Sequence, residues 1–364
     1  MKFAAFACLV VLAVSCNTKN NPEYLPVATG KPGDMILIMD SVQWKGPLGS
    51  ELRKIFKAEI PGLPREEPMF NLIYVHPRKG STLLTQIRNL VYVFTLDAET
   101  PGAKILKEGF DAETLSRIET DTSFFVSTAT DEYARGQEVM YLFGKNEKSL
   151  IKHLQENAQY IRNFFNDIEK KRAVAALTGT SSTKALTEFL KKENGIEIRV
   201  PFGFKVADKQ PDFVWLRQMD AKADKSVFIT WKPYESEYQF LPDSLVSWRD
   251  NILKHYIFED PDNPDSFVVT ETTVPFKPVT ARQLTFNNSF AMELRGLWKT
   301  NTNTMGGPFI SYAVANRQTG LIYYLEGFCY SPGKDQRETI RELEAILSTF
   351  KVSDSKSAAN TGKP

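Results

Sequence analysis

At 364 residues the chain is longer than one small core needs, and at roughly 150 residues per domain it has room for about two. With 42% hydrophobic and 24% charged residues it can bury enough apolar surface to offset chain entropy, which excludes bulk disorder. Lys+Arg numbers 45 and Asp+Glu 44, a net charge of +1, so no long-range field draws the chain onto DNA or RNA, and nucleic acid is not an expected partner.

Residues 1–16 read MKFAAFACLVVLAVSC. Lys2 opens an apolar run from Phe3 to Val14, too short to span a bilayer, which takes ~20 residues, but of the length of a secretory h-region. The run ends Leu12-Ala13-Val14-Ser15-Cys16. This resembles the bacterial lipobox, in which a small residue precedes an obligatory cysteine; the usual leucine position holds Ala13. The resemblance implies a signal peptide over 1–15, diacylglycerol and palmitate-type acylation on Cys16, and a membrane anchor. Residues 16–34 are polar and rich in Asn, Pro and Gly, as a flexible tether requires. In Bacteroidetes-type lipoproteins an acidic cluster after the cysteine marks surface export. Asn17, Thr18, Lys19 and Asn20 lack it, so the expected location is the cell envelope, facing the periplasm. Cys8 leaves with the leader and Cys329 then has no partner, so no disulfide framework is expected; Cys329 reads as a small buried hydrophobe.

The predicted elements follow in order. Met35–Met39 is a buried strand, and Leu48, Leu52, Ile55 and Phe56 mark a helix over 48–57. Strands follow at 70–75, 90–94 and 138–143, then one long helix over 147–177 with Leu150, Leu154, Ile161 and Phe165 on its apolar face. The TGTSST run at 178–183 breaks the chain, and a helix over 184–193 stops at Gly195. The remainder is strand-rich: 196–200, 213–217, 227–231, 266–274, 289–298, 308–315 and 320–330, with helices at 243–257 and 334–350. In the 289–298 strand Phe290, Met292, Leu294 and Trp298 share one face while Glu293 and Arg295 occupy the other, which predicts an antiparallel sheet with one face open to water or a partner. The expected class is α+β, two modules each with an antiparallel-rich sheet and packed amphipathic helices. The first runs over 35–180, the second over 181–352, and a disordered tail over 353–364. Helix, Pro/acid-rich loop and strand recur at 48–75 and 243–273, the pattern of two modules of related design.

The stretch GPLGSELRKIFKAEIPGLPREEPMFNLIYV at 46–75, with RNLVYV at 88–93, resembles a family of Bacteroidetes-type lipoproteins known only as a domain of unknown function, DUF4837-like, over about 33–352. The second half, through IRVPFGFKVADKQPDFVWLR at 198–217 and the closing 323–350 segment, is similar to the PsbP/Mog1-like α+β sandwich. Those resemblances imply a shared fold and a binding or assembly role, and carry over no catalytic residue.

Candidate chemistry is sparse. His76, His153 and His255 are the only histidines, and no cysteine pair joins them in a zinc-like spacing. Glu259–Asp265 gathers four carboxylates, making Asp260, Asp262 and Asp265 the only cation candidates, but prolines interrupt them and the simpler reading is a solvated turn. No G-x-S-x-G and no phosphate loop occurs, and Met305-Gly306-Gly307-Pro308 reads as a hairpin turn. No cofactor is called for. Trp231, Tyr234, Tyr238 and Trp248, with Phe240 among them, form a candidate ligand or partner surface, against a simpler role in the core. The expected function is a membrane-anchored, non-catalytic binding or assembly module with an envelope protein partner. The alternative is an envelope hydrolase acting on glycan or peptide with carboxylates near 234–262.

Overall fold

The computed structural model describes residues 25–79, 82–177, 181–220, 223–260 and 263–353. The signal peptide, Cys16, the first half of the tether, Asp262 and most of the tail lie outside these. The class is α+β. Packing divides the described residues into two units: those up to Glu51 with Leu72–Glu156, and Leu52–Asn71 with those from Asn157 onward. The division falls inside one helix and again at Asn157. There the single long helix predicted over 147–177 is two helices, ending at Glu156 and restarting at Ala158.

The first unit is built on β1 (Asp34–Met39), α1 (Ser41–Lys45), α2 (Pro47–Phe56), β2 (Asn71–Val75), α3 (Thr82–Thr85), β3 (Asn89–Thr95), α4 (Pro101–Lys107), α5 (Ala112–Thr120), β4 (Val126–Thr130), β5 (Glu138–Gly144) and α6 (Glu147–Glu156). The sheet order is β2-β1-β3-β5-β4. The β1–β3 and β3–β5 ladders are parallel and the β4–β5 ladder is antiparallel. This differs from the antiparallel-rich sheet expected here, and the reason is legible: β1, β3 and β5 are near-continuous apolar runs buried on both faces, as helix crossovers require. Their core joins Ile38, Leu90, Phe94, Val139 and Phe143.

In the second unit all registered strand pairs are antiparallel. The chain runs α7 (Ala158–Ala176), α8 (Ser181–Asn194), β6 (Ile196–Glu197), β7 (Lys205–Gln210), β8 (Phe213–Gln218), β9 (Asp224–Pro233), α9 (Pro242–Tyr256), β10 (Phe258–Asp260) and β11 (Asn263–Thr270). It continues through β12 (Thr280–Phe286), β13 (Ser289–Thr300), β14 (Gly306–Asn316), β15 (Leu321–Tyr330), α10 (Arg337–Ser348) and β16 (Lys351–Val352). The large sheet is ordered β10-β11-β13-β14-β15-β9-β8-β7, with β12 added to β13. Alternate residues of β14 and β15 feed two cores. Ile310, Tyr312, Tyr323 and Leu325 meet α10, while Phe309, Ala313, Ile322 and Tyr324 meet α9. Both faces are therefore covered, which corrects the expectation of an open face. Ile340, Leu343, Ile346 and Leu347 of α10 are all buried, each contributing on the order of 1.5–3 kcal/mol of transfer free energy.

Segment 52–71 belongs to this unit because it is bolted to α10. The buried Glu67 carboxylate accepts from the backbone N–H of Gln336 at 2.8 Å and of Arg337 at 2.8 Å, satisfying donors at the start of α10 and complementing its dipole. Phe56, Phe70 and Phe165 pack edge to face beside it. The helix-loop-strand pattern shared by 48–75 and 243–273 is therefore no duplication. Its first copy is split between units, and the two sheets are paired differently. Gly306 and Gly307 lie in β14 and not in the turn. A Cβ on Gly307 would lie 2.1 Å from the Cys329 carbonyl oxygen, to which Trp298 Nε1 donates at 3.2 Å. Among the described residues no helix is long and apolar enough to cross a membrane.

Candidate functional site

The four aromatic candidates do not form one surface. Trp231 is buried in the core beneath α10. Trp248 packs on the opposite face with the core beneath α9, its ring covered by Lys232 Nζ at 4.0 Å. Tyr234 and Tyr238 are exposed. Of the four, only Tyr234 lines a hollow, an open depression of about 990 Å³ shared with Phe240, Phe290, Asn287 and Asn316. The ends of the carboxylate run are paired: Asp260 ends β10 opposite Asn263 of β11, Asp265 lies further along β11, and Asp262 is outside the described residues. Among the described residues no group of three or more His, Cys, Asp or Glu is placed to hold a metal ion. Burial pushes the Cys329 thiol up to about 12, so it stays protonated and inert.

The histidines are structural. His153 stacks on Phe125 at 4.7 Å, and His255 Nδ1 lies 2.6 Å from the Asn251 carbonyl oxygen. His76 follows the last residue of β2, and Asp40 follows the last residue of β1. His76 Nε2 lies 3.9 Å from Asp40 Oδ2, while its Nδ1 accepts from Arg78 N–H at 3.2 Å. Of the two ring nitrogens, Nδ1 is hydrogen-bonded. Gly102 permits the approach of His76 to Asp40: a Cβ there would sit 2.5 Å from Asp40 Oδ2.

The most developed site is a cleft of about 640 Å³ lying wholly within the second unit. One wall is a polar stripe of α7, Gln159, Arg162, Asn163, Asn166, Asp167 and Lys170, spaced at helical intervals on one face. Arg282 of β12 and Glu293 and Arg295 of β13 form the floor, and Arg337, Arg341 and Glu344 of α10 form the other wall. Six basic and four acidic side chains line it.

Its floor is a connected ion network. Arg295 Nε donates to Glu293 Oε1 at 3.0 Å, and Arg295 Nη2 lies 2.9 Å from Glu344 Oε1. Lys170 Nζ reaches the same Glu344 oxygen at 2.7 Å, and Arg282 Nη2 donates to both Glu293 oxygens at 3.1 Å. The Tyr312 hydroxyl lies 3.2 Å from Glu293 Oε2 and 3.3 Å from Glu344 Oε1. Glu293, Arg295 and Glu344 are each more than nine-tenths buried, at 5%, 8% and 6% exposure. Burial alone would raise Glu344; Arg295 and Lys170 overturn that and bring its carboxyl down to about 2. Glu293 is likewise lowered, its burial outweighed chiefly by Arg295. Burial, reinforced by both carboxylates, holds the Tyr312 phenol well above its ordinary range.

The two buried carboxylates of the four, Glu293 and Glu344, are thus anions locked to cations. A glycosidase-type general acid has to carry a proton near neutral pH, and neither of them does. The arrangement is a preorganised, water-accessible charge array suited to binding. Arg162, half-buried on the rim, has no ion partner among the described residues. Sequence reasoning missed this site because Glu293 and Arg295 alternate with apolar residues as a wet strand face does. The usable signal was their opposite charge, two residues apart and facing the same side.

A second buried network, on the other face of the sheet, is structural. Arg249 of α9 donates to both Glu326 oxygens at 2.8 Å, and Tyr324 OH donates to Glu326 at 2.9 Å. It lines no cavity.

Residues 28–178 match the model of a domain of unknown function, DUF8532, and residues 182–349 that of another, DUF4837. The resemblance read over 33–352 therefore resolves into two adjacent families. No curated protein matches. Among solved structures, a mutant of the protein Mog1 is 10% identical, covering 45% of this chain and 94% of its own at a TM-score of 0.28. The Ran-binding protein Mog1p of Saccharomyces cerevisiae is 9% identical, covering 45% of this chain and 93% of its own, also at 0.28. The first half of the chain is similar to the DUF8532 model and the second half to the DUF4837 model.

Proposed function

We propose that this chain is a membrane-anchored envelope lipoprotein, lipidated on Cys16 and facing the periplasm, whose second unit is a non-catalytic binding module for an acidic segment of an envelope protein. The observation that carries the binding role is the cleft, with its surplus of basic side chains over locked carboxylates and its amide-rich α7 wall. Arg162 offers a guanidinium to a carboxylate in bidentate geometry. The anchor rests on the leader and its lipobox-like end. One acyl chain holds only marginally at ~0.8 kcal/mol per buried methylene, so two or more are expected on Cys16.

Labelled palmitate enters the wild-type chain in cells and is absent from Cys16→Ser; label persisting in that variant removes the anchor. For the cleft, a short acidic peptide is titrated into the purified chain by calorimetry. Arg162→Glu weakens it about tenfold, the equivalent of ~1.4 kcal/mol, and added salt weakens wild-type binding in the same direction. A basic peptide of equal length does not bind. Equal affinity in Arg162→Glu and wild type overturns the assignment of the cleft.

A further inference from the structure

The first unit holds a pocket of opposite electrostatic character. It is an open hollow of about 480 Å³ over one face of the sheet, bounded by α4, α5 and the turn after β4. Its floor is a registered row across three strands, Ile38 of β1 beside Tyr92 of β3 beside Tyr141 of β5. Six aromatic rings line it: Tyr92, Phe110, Phe124, Tyr133, Tyr141 and Phe143. Tyr92 and Tyr141 stack at 5.2 Å, and Phe110 meets Tyr141 edge-on at 5.4 Å. Glu132 is the one charged side chain in the lining, and Tyr141 OH donates to its Oε1 at 2.6 Å. No Lys, Arg or His lines the pocket.

Aromatic faces carry negative quadrupole potential and attract cations, most strongly where water is excluded. A lining of rings plus a single carboxylate therefore repels anions and favours a compact organic cation. The chain already uses one of these rings in this way, since the Arg117 guanidinium lies over Phe124 at 3.8 Å. A neutral apolar ligand would gain the same burial but nothing from Glu132.

We infer that this pocket binds a small quaternary or tertiary ammonium compound, its cationic head against the tyrosine rings and its charge countered by Glu132.

The test compares choline with its neutral carbon analogue, in which a quaternary carbon replaces the nitrogen, by calorimetry on the full chain. Choline binds about tenfold more tightly than the analogue, within the range measured for desolvated cation–π contacts. Glu132→Gln keeps an oxygen to accept from Tyr141; it weakens choline several-fold and leaves the analogue unchanged. Tyr133→Leu weakens choline further, and if that variant fails to fold the Glu132→Gln comparison decides alone. Equal binding of the two compounds, no binding of choline, or an unchanged choline affinity in Glu132→Gln overturns the inference.

Discussion

Replacing Arg249 with methionine lowers the unfolding free energy of the second unit by about 3–5 kcal/mol, the range for breaking a buried ion pair from one side. The side chains of Arg249 and Glu326 are both 0% exposed. The guanidinium makes two bonds of 2.8 Å to Glu326, a third of 3.0 Å to Thr270 Oγ1, and lies over the Phe309 ring at 4.0 Å. It thereby joins α9 to β11, β14 and β15. Its removal strands Glu326 in an apolar core with only the Tyr324 hydroxyl for company. The double variant Arg249→Met with Glu326→Met removes both charges and recovers most of the loss, because well-packed apolar replacements of buried pairs are often neutral. Urea unfolding of the three proteins decides this. Burial outweighs Arg249 and raises the Glu326 carboxyl, so the single variant can relax by protonating it. A single variant within about 1 kcal/mol of wild type would mean that this relaxation is complete and that the pair contributes little.

The closing helix and the central strands were legible because their apolar spacing is set by burial. Ile340, Leu343, Leu347 and Phe350 predicted the closing helix, observed as α10, and the run Met35–Met39 predicted β1. Several elements were missed, among them α4, α5 and the edge strands β4, β7, β10 and β12. β7, with sequence KVADKQ, and β12, with TARQLTF, are polar along most of their length, since an edge strand gains its order from ladder bonds rather than burial. The aromatic cluster at 231–248 is core at Trp231, Phe240 and Trp248 but exposed at Tyr234 and Tyr238. Trp231 and Trp248 serve opposite faces of one sheet, which no spacing in a strand-loop-helix segment specifies. The cleft was illegible for a different reason. Its charges come from α7, β12, β13 and α10, each of which taken singly looks like an ordinary solvated face. Only tertiary pairing turns Glu293, Arg295 and Glu344 into a buried array.

That array also sets the acid limit of the fold. Between pH 5 and pH 2 the second unit loses on the order of 3 kcal/mol through Glu344 alone, since each pKa unit of displacement is worth about 1.4 kcal/mol. The carboxyl sits at about 2 when folded and near its ordinary 4.5 when unfolded. As pH falls through 4.5 the unfolded chain takes up a proton that the folded one refuses. The stability present above 4.5 is therefore lost progressively and is gone near 2. Glu293, also lowered, adds a slope of the same sign. Glu326 acts the other way: its folded carboxyl is raised, so its contribution is complete below 4.5 and lost as pH rises through its folded value. The contrast has a cause in the coordination. Glu344 faces two cations, Arg295 and Lys170, whereas Glu326 bonds one, Arg249. Glu344→Gln should flatten the acid limb of stability against pH while lowering stability at neutral pH, where Arg295 and Lys170 lose their shared anion. A wild-type slope in that variant contradicts the assignment. The same substitution adds one net positive charge to the cleft, so at neutral pH it should bind the acidic peptide more tightly than wild type while unfolding more readily. The locked carboxylates would then be what the fold needs for stability and what holds its affinity for anions down.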